Sequence, residues 1–170
     1  AQSKRRVDIQ MVDKMIADLC KGIKICFVFS EQGIGTILNV CNLIKPDIIQ
    51  LHSIKEADLI TGIKEKIDNV EIWKAVAYNK IGSITGEADR YLIDAVNPGS
   101  GVSFNWDVLE KIPLDRSKVI VAGGLGPGNI EELKVRYDPF CVDASSKLEV
   151  NGIKNFDLVK EFIVKARKSP

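Results

Sequence analysis

No apolar run in this sequence approaches the ~20 residues that a helix needs to cross a bilayer, and no signal peptide is visible. The charges nearly cancel, with 24 Lys and Arg against 23 Asp and Glu, so no net field would attract nucleic acid or an anionic membrane. These absences predict a cytoplasmic protein whose partner is neither nucleic acid nor a membrane. Any anion-binding site must then be formed by a particular group of residues and not by the net charge of the protein.

Metal-binding and disulfide patterns are also missing. None of the four cysteines, Cys20, Cys26, Cys41 and Cys141, forms a C-x-x-C pair, and histidine occurs once. We therefore expect cysteine side chains in this protein to be buried free thiols in preference to disulfides or metal ligands. The chain begins at Ala1 without a methionine, so it could be a trimmed protein or a fragment.

What the chain does contain is a regular alternation of short apolar runs and amphipathic segments. The runs recur about every 19 to 28 residues, the length of a strand–helix unit. The predicted strands are 23–29, 47–51, 70–76, 91–95, 118–122 and 140–142. Strands that are apolar on both faces and joined by helices predict a parallel sheet in an α/β fold. No linker or low-complexity tract divides the chain, so residues 1–170 are predicted to form one domain.

Three of the amphipathic segments predict helices with one buried face. The expected faces are Ile9, Val12, Ile16 and Leu19 after an Asp8 N-cap; Ile130, Leu133 and Tyr137; and Phe156, Val159 and Ile163.

Two loops near the C-terminus have the composition of anion sites. Residues 122–129, Ala-Gly-Gly-Leu-Gly-Pro-Gly-Asn, follow an apolar strand and open a helix, and we call them the glycine loop. Residues 142–146, Val-Asp-Ala-Ser-Ser, follow the next strand and form the serine loop. Such a strand, turn and helix start presents backbone N–H groups to phosphate. Paired late loops of this kind are typical of a (βα)8 barrel, although six strands would also suit an open sheet.

Four further positions are candidates for chemistry, each with an ordinary structural alternative. Asp94 ends a strand and could be a general acid, or could simply start a turn. His52 also ends a strand and is either catalytic or structural. Arg5, in a basic cluster at the chain start, could bind a carboxylate or be solvated. Lys74, inside a strand, could form a Schiff base or an ion pair.

The motifs occur in a definite order over essentially all 170 residues. They are Gln50-Leu51-His52, Leu92-Ile93-Asp94, Gly99-Ser100-Gly101, Phe104-Asn105-Trp106, Ala122-Gly123-Gly124-Leu125, Val142-Asp143-Ala144-Ser145-Ser146, Glu149 and Gly152-Ile153-Lys154. This order and spacing resemble the phosphoribosylanthranilate isomerase family. The resemblance implies a (βα)8 TIM barrel that needs no cofactor or metal. It implies the Amadori rearrangement of N-(5-phosphoribosyl)anthranilate to 1-(2-carboxyphenylamino)-1-deoxyribulose 5-phosphate in tryptophan biosynthesis.

The resemblance also implies a role for individual residues. Asp94 would be the general acid, Arg5 would hold the anthranilate carboxylate, and His52 would lie beside the substrate. The loops implied to hold the phosphate contain Gly99, Ser100, Gly101, Gly123, Gly124, Ser145 and Ser146. Five positions depart from the family pattern: Ser53, Pro98 and Lys147 stand where glycine is usual, and Asn105 and Asn155 stand where aspartate is usual.

The start of the family pattern is not matched. Its first strand carries the general base in a Lys-Ile-Cys-Gly motif, and Lys24-Ile25-Cys26 is similar, but Phe27 stands at the glycine. Cys26 also lies 24 residues before Gln50, a spacing that resembles the family's third strand, where Cys26 would be a buried hydrophobe. We therefore expect an N-terminally incomplete barrel, with six of eight strands in this chain and the base outside it. Such a chain could be inactive by itself.

Two alternatives remain open on the sequence. One is another phosphate-binding barrel enzyme of the same pathway. The other is a non-catalytic barrel fragment that binds a phosphosugar. An opened barrel would expose strand edges, which invite pairing with another chain, as in a homodimer.

Overall fold

A computed structural model describes residues 6–19, 21–52, 58–95 and 103–168. The chain divides into two compact units, Ala1–Ile72 and Trp73–Pro170. The expectation of a single domain stays a prediction.

The first unit alternates helices and strands. Its elements are α1 (Ile9–Ala17), β1 (Cys26–Ser30), α2 (Ile34–Ile44), β2 (Ile48–His52), α3 (Leu59–Lys64) and the first residues of β3 (Glu71–Ala77). Strands β1 and β2 pair in parallel, from Cys26 opposite Ile48 to Ser30 opposite His52. Because both strands run the same way, their carboxyl ends meet at one edge, where His52 is the last strand residue.

The second unit contains the remaining strands. Its elements are most of β3, then β4 (Arg90–Asp94), β5 (Val119–Val121), α4 (Ile130–Arg136), β6 (Cys141–Val142), β7 (Glu149–Val150), β8 (Ile153–Lys154) and α5 (Phe156–Arg167). Strands β3 to β6 pair in parallel with their neighbours in chain order. Strands β7 and β8 form a separate antiparallel ribbon, with Glu149 opposite Lys154.

The apolar strands are buried on both faces, as the sequence predicts. Tyr91, Leu92 and Ile93 in β4 are 0% exposed, and so is all of β5. All six predicted strands exist, with ends shifted by at most three residues. The α/β class is confirmed, and continuous apolar runs mark these strands because neither face meets water.

Strand β1 departs from that rule, and the expected burial of Cys26 is wrong. Phe29 is buried, but Cys26, Val28 and Ser30 point to the opposite face and are exposed. Residues two apart in a strand share a face. An apolar run therefore predicts the strand but cannot show that both of its faces are covered.

The predicted helix face is confirmed for α4 and corrected for α5, and in α1 its members Ile9, Val12 and Ile16 are half-buried. Ile130, Leu133 and Tyr137 are all buried. In α5, however, Phe156 is 78% exposed and Phe162 is the buried residue. Helix α5 carries apolar residues on more than one side, and its packing against α4 selects the face.

Two other exposed residues also fall on predicted helix faces. Ile163 of α5 is exposed, and so is Leu19 beyond the end of α1. The Asp8 N-cap is confirmed, since its carboxylate accepts a hydrogen bond from the Gln10 backbone N–H. Among the described residues, no helix has the length and apolar character to cross a membrane.

Candidate active site

Asp94 is a buried carboxyl group at the carboxyl end of β4. The residue is 8% exposed, and its Oδ1 accepts a hydrogen bond of 2.7 Å from the Ala95 backbone N–H. This bond fixes the direction of the side chain at the strand end. Such a held and shielded group suits proton transfer, because bulk water does not compete for the proton.

Gly123 brings the glycine loop against this carboxyl group. A Cβ at this position would lie 2.9 Å from the Ala95 nitrogen and 3.0 Å from Asp94 Oδ1. The φ angle of Gly123 is +85°, a conformation that side-chain-bearing residues rarely adopt. Only glycine fits both requirements, and the first residues of the loop therefore contact the strand end that carries Asp94.

The rest of the glycine loop is held by Asn129. Its Oδ1 accepts from the Gly126 N–H at 2.9 Å, and its Nδ2 donates to the Gly124 carbonyl at 3.0 Å. Lys165 of α5 supports the loop further by donating to the Pro127 carbonyl at 2.8 Å. Sequence reasoning missed the role of Asn129: asparagine just before a helix suggests an N-cap, whereas its side chain here bonds the loop backbone and makes no capping bond to α4.

The serine loop lies beside the glycine loop, as expected for loops that follow the paired strands β5 and β6. A Cβ at Gly126 would lie 2.7 Å from the Lys147 Cβ. Lys147, one of the departures from the family pattern, thus packs its aliphatic stem against the glycine loop. The structure brings together Asp94, Gly123, Gly124 and the serine loop within the second unit.

His52 lies in the first unit, at the end of β2. Its Nε2 is 2.8 Å from the side-chain Nε2 of Gln50, which is 6% exposed. Gln50 and His52 are linked by a hydrogen bond whose direction depends on the imidazole tautomer. Cys26 approaches the same amide, with Sγ 4.0 Å from Gln50 Oε1.

Several predicted positions lie outside the described residues. They are Arg5, Ser53, Pro98, Gly99, Ser100 and Gly101. Lys74 is described, and its Nζ is 3.9 Å from Glu87 Oε2. The ion-pair interpretation of Lys74 fits this contact, and the Schiff-base interpretation gains no support. Within the described ranges, no group of three His, Cys, Asp or Glu side chains could hold a metal ion.

Comparison with known proteins identifies the family. Residues 1–165 match the family model of N-(5'-phosphoribosyl)anthranilate (PRA) isomerase. The enzyme of that name from Clostridium acetobutylicum is 34% identical, and the match covers 99% of this chain and 84% of the relative.

Solved structures agree in fold. Phosphoribosyl anthranilate isomerase from Thermotoga maritima is 26% identical with a TM-score of 0.82, over 98% of this chain and 83% of that one. A second structure, of monomers generated from the dimeric Thermotoga maritima enzyme, is 25% identical with a TM-score of 0.80. It covers 98% of this chain and 82% of that one.

These matches favour the isomerase over another barrel enzyme of the pathway and over a non-catalytic phosphosugar-binding barrel. They also confirm the fold class, a (βα)8 TIM-barrel family, to which the described residues contribute six parallel strands, β1 to β6. The chain therefore belongs to the N-(5'-phosphoribosyl)anthranilate isomerase family, whose members are isomerases of tryptophan biosynthesis.

Proposed function

We propose that Asp94 is the general acid of the isomerase reaction and that the glycine and serine loops hold the substrate phosphate. The phosphate donors would come from Gly123, Gly124, Ser145 and Ser146. The same proposal includes Gly99, Ser100 and Gly101 as phosphate ligands, Arg5 as the carboxylate ligand and His52 as a neighbour of the substrate.

The proposed chemistry begins at the furanose ring. Asp94 protonates the ring oxygen, the bond between this oxygen and C1 breaks, and the nitrogen lone pair forms a Schiff base. A general base then takes the C2 proton to give the enolamine, and transfer of the C2 hydroxyl proton to C1 converts the enolamine to the ketose. Asp94 is left as a carboxylate, and the Ala95 N–H that already bonds to Oδ1 stabilises that charge.

The main support for this proposal is the close approach of Gly123 in the glycine loop to Asp94. Only C4, C5 and the ester oxygen separate the ring oxygen of the substrate from its phosphorus. A phosphate held by the glycine loop therefore keeps the ring oxygen close to whatever lies beside that loop. The 3.0 Å approach of the Gly123 Cβ position to Asp94 Oδ1 supports the carboxyl as that neighbour.

The substitution Asp94→Asn tests the acid. It keeps the shape of the side chain but removes the transferable proton, so kcat should fall by ~100-fold or more. Binding of inorganic phosphate should change by less than about 3-fold, since the loops remain. Fluorescence of the anthranilate group would follow turnover, and calorimetry would follow binding.

Asp138→Asn is the matched control. Asp138 is exposed, with a φ of +46° that asparagine also adopts. It makes the same chemical change away from the loops and should leave kcat unaltered. Full activity of the Asp94→Asn enzyme would remove Asp94 from the acid role.

The proposal extends to assembly and location. The related Thermotoga maritima enzyme is dimeric, which supports a homodimer for this chain. A small phosphorylated substrate supports a cytoplasmic location, and cell fractionation would contradict it if the protein were found elsewhere.

A further inference from the structure

Lys154 joins the serine loop to the β7–β8 ribbon. Its Nζ lies 2.9 Å from the Ser145 carbonyl oxygen, 3.1 Å from Ser145 Oγ and 2.6 Å from Glu149 Oε1. Glu149 and Lys154 face each other across the ribbon, which brings the lysine into reach of the loop. One ammonium group therefore contacts three oxygens from two segments.

The direction of these hydrogen bonds follows from the chemistry of lysine. An ammonium group has three N–H donors and no acceptor, so Ser145 must accept in both contacts. A hydroxyl oxygen that accepts from Lys154 still carries its own proton. That proton cannot be given to Lys154, and it stays available as a donor to an anion.

Lys154 also forms an ion pair with Glu149. The glutamate side chain is only 16% exposed, whereas that of Lys154 is 51% exposed. A poorly solvated carboxylate near a phosphate would repel it. The contact with Lys154 Nζ compensates that charge at the point where the ribbon meets the serine loop.

We propose that Lys154 is a positioning residue for the substrate phosphate. It holds the Ser145 carbonyl and hydroxyl as acceptors, so that the hydroxyl proton is directed to the anion, and it compensates the charge of Glu149. The inference rests on the proposed role of the serine loop and adds the residue that orients it.

Replacing the lysine tests this inference through binding. Lys154→Met should raise the Kd for inorganic phosphate by ~10-fold, about the effect of losing one hydrogen bond to a charged group. Calorimetry on the full chain would measure the Kd, and a thermal melt would show whether the fold is kept. Lys160→Met, at an exposed position on α5, is the control and should change neither quantity.

A double-mutant cycle separates positioning from simple charge. In a Glu149→Gln background the carboxylate charge is gone, so the contacts of Lys154 to Ser145 are tested without charge compensation. There Lys154→Met and Ser145→Ala should each raise the Kd by ~10-fold, and the two together by no more than about the same factor. Such non-additivity is expected only if the lysine acts through the serine hydroxyl.

Other outcomes would overturn the inference in distinguishable ways. An unchanged Kd for Lys154→Met in the Glu149→Gln background, or fully additive losses near ~100-fold, would exclude positioning through Ser145. An unchanged Kd for Ser145→Ala would exclude the serine hydroxyl as a phosphate donor, and the inference with it, whereas failure of the unaltered chain to bind phosphate would contradict the proposed function itself.

Discussion

At the scale of single residues, burial sets the reactivity of each thiol. Cys41, on α2, is 3% exposed, and burial raises the pKa of its thiol to about 11. Burial also raises the pKa of the Cys141 thiol, whereas Cys26 is exposed on β1. Because the thiolate is the nucleophile, the three described cysteines among the four of this chain should react very differently.

We expect iodoacetamide at pH 8 to alkylate Cys26 in the native protein and to leave Cys41 unmodified. Peptide mass spectrometry would locate the label, and alkylation in denaturant, where both thiols are exposed, is the control. Labelling of Cys41 as fast as Cys26 would contradict its burial.

The same raised pKa gives a pH dependence of stability. The folded state keeps the Cys41 proton up to a pH of about 11, whereas the unfolded thiol loses it near its ordinary pKa of 9.0. The stabilising contribution is therefore complete below pH 9.0 and is lost as the pH rises towards 11. Thermal melts of the native chain and of Cys41→Ala should differ in slope over this alkaline window.

Some side chains of the candidate site could be predicted from the sequence and some could not. Asp94 and Gly123 belong to short motifs at strand ends, where position alone indicates their surroundings. Lys154 acts on Ser145, nine residues earlier, across a ribbon of two-residue strands. No periodicity marks strands so short, so this contact required the structure.

At the scale of elements, two departures from the family pattern preserve a helix cap. Asn105 precedes a short 3-10 helix, Trp106–Lys111, and its Oδ1 accepts from the Asp107 N–H at 3.0 Å. Asn155 precedes α5, and its Oδ1 accepts from the Leu158 N–H at 3.1 Å. Aspartate and asparagine serve almost equally well at this position. Replacing one by the other therefore keeps the start of each helix while removing a charge.

Asn155→Ala should lower the free energy of unfolding by ~1 kcal/mol, the usual cost of losing an N-cap. Asn155→Asp should retain stability because its carboxylate still accepts the Leu158 N–H. Asn39→Ala, an exposed position inside α2, makes the same change within a helix and should stabilise by up to ~0.7 kcal/mol. Urea denaturation would measure all three, and equal effects of the two alanine variants would refute capping by Asn155.

Which face of a helix is buried could be predicted from the sequence for α4 but not for α5. In α4 the helical spacing of Ile130 and Leu133 defines one apolar face, which is buried as expected, and the apolar Val135 lies off it. In α5 apolar residues lie on several sides, so periodicity permits more than one buried face. The neighbouring helix decides between them, and the sequence of α5 alone does not contain that information.

At the scale of the whole molecule, the alternation of strands and helices predicted the fold class. Buried parallel strands must be apolar on both faces, and each must be followed by a connection long enough to return to the same edge. These constraints leave a repeated signature, and all six strands were found from it. The sequence carries no comparable signature of which face of β1 is covered, and the predicted burial of Cys26 on that strand was wrong.

The proposed homodimer is the prediction that belongs to the whole molecule. In the first unit, Met11 and Met15 lie one helical turn apart on α1 and are each 56% exposed, and Val28 of β1 is 58% exposed. Large exposed apolar side chains favour association, because contact with a partner removes them from water. We expect the chain to sediment as a dimer at concentrations of ~10 μM, and the double variant Met11→Lys/Met15→Lys to sediment as a monomer.

Val135→Lys provides the control, since Val135 is 76% exposed on α4 in the second unit. It adds one positive charge to another helix and should leave the dimer intact. Sedimentation of the unaltered chain as a monomer at ~100 μM would contradict the dimer itself. A dimer that resists both lysines on α1 would instead require another interface, because two charges buried there without partners would cost more than the apolar contact returns.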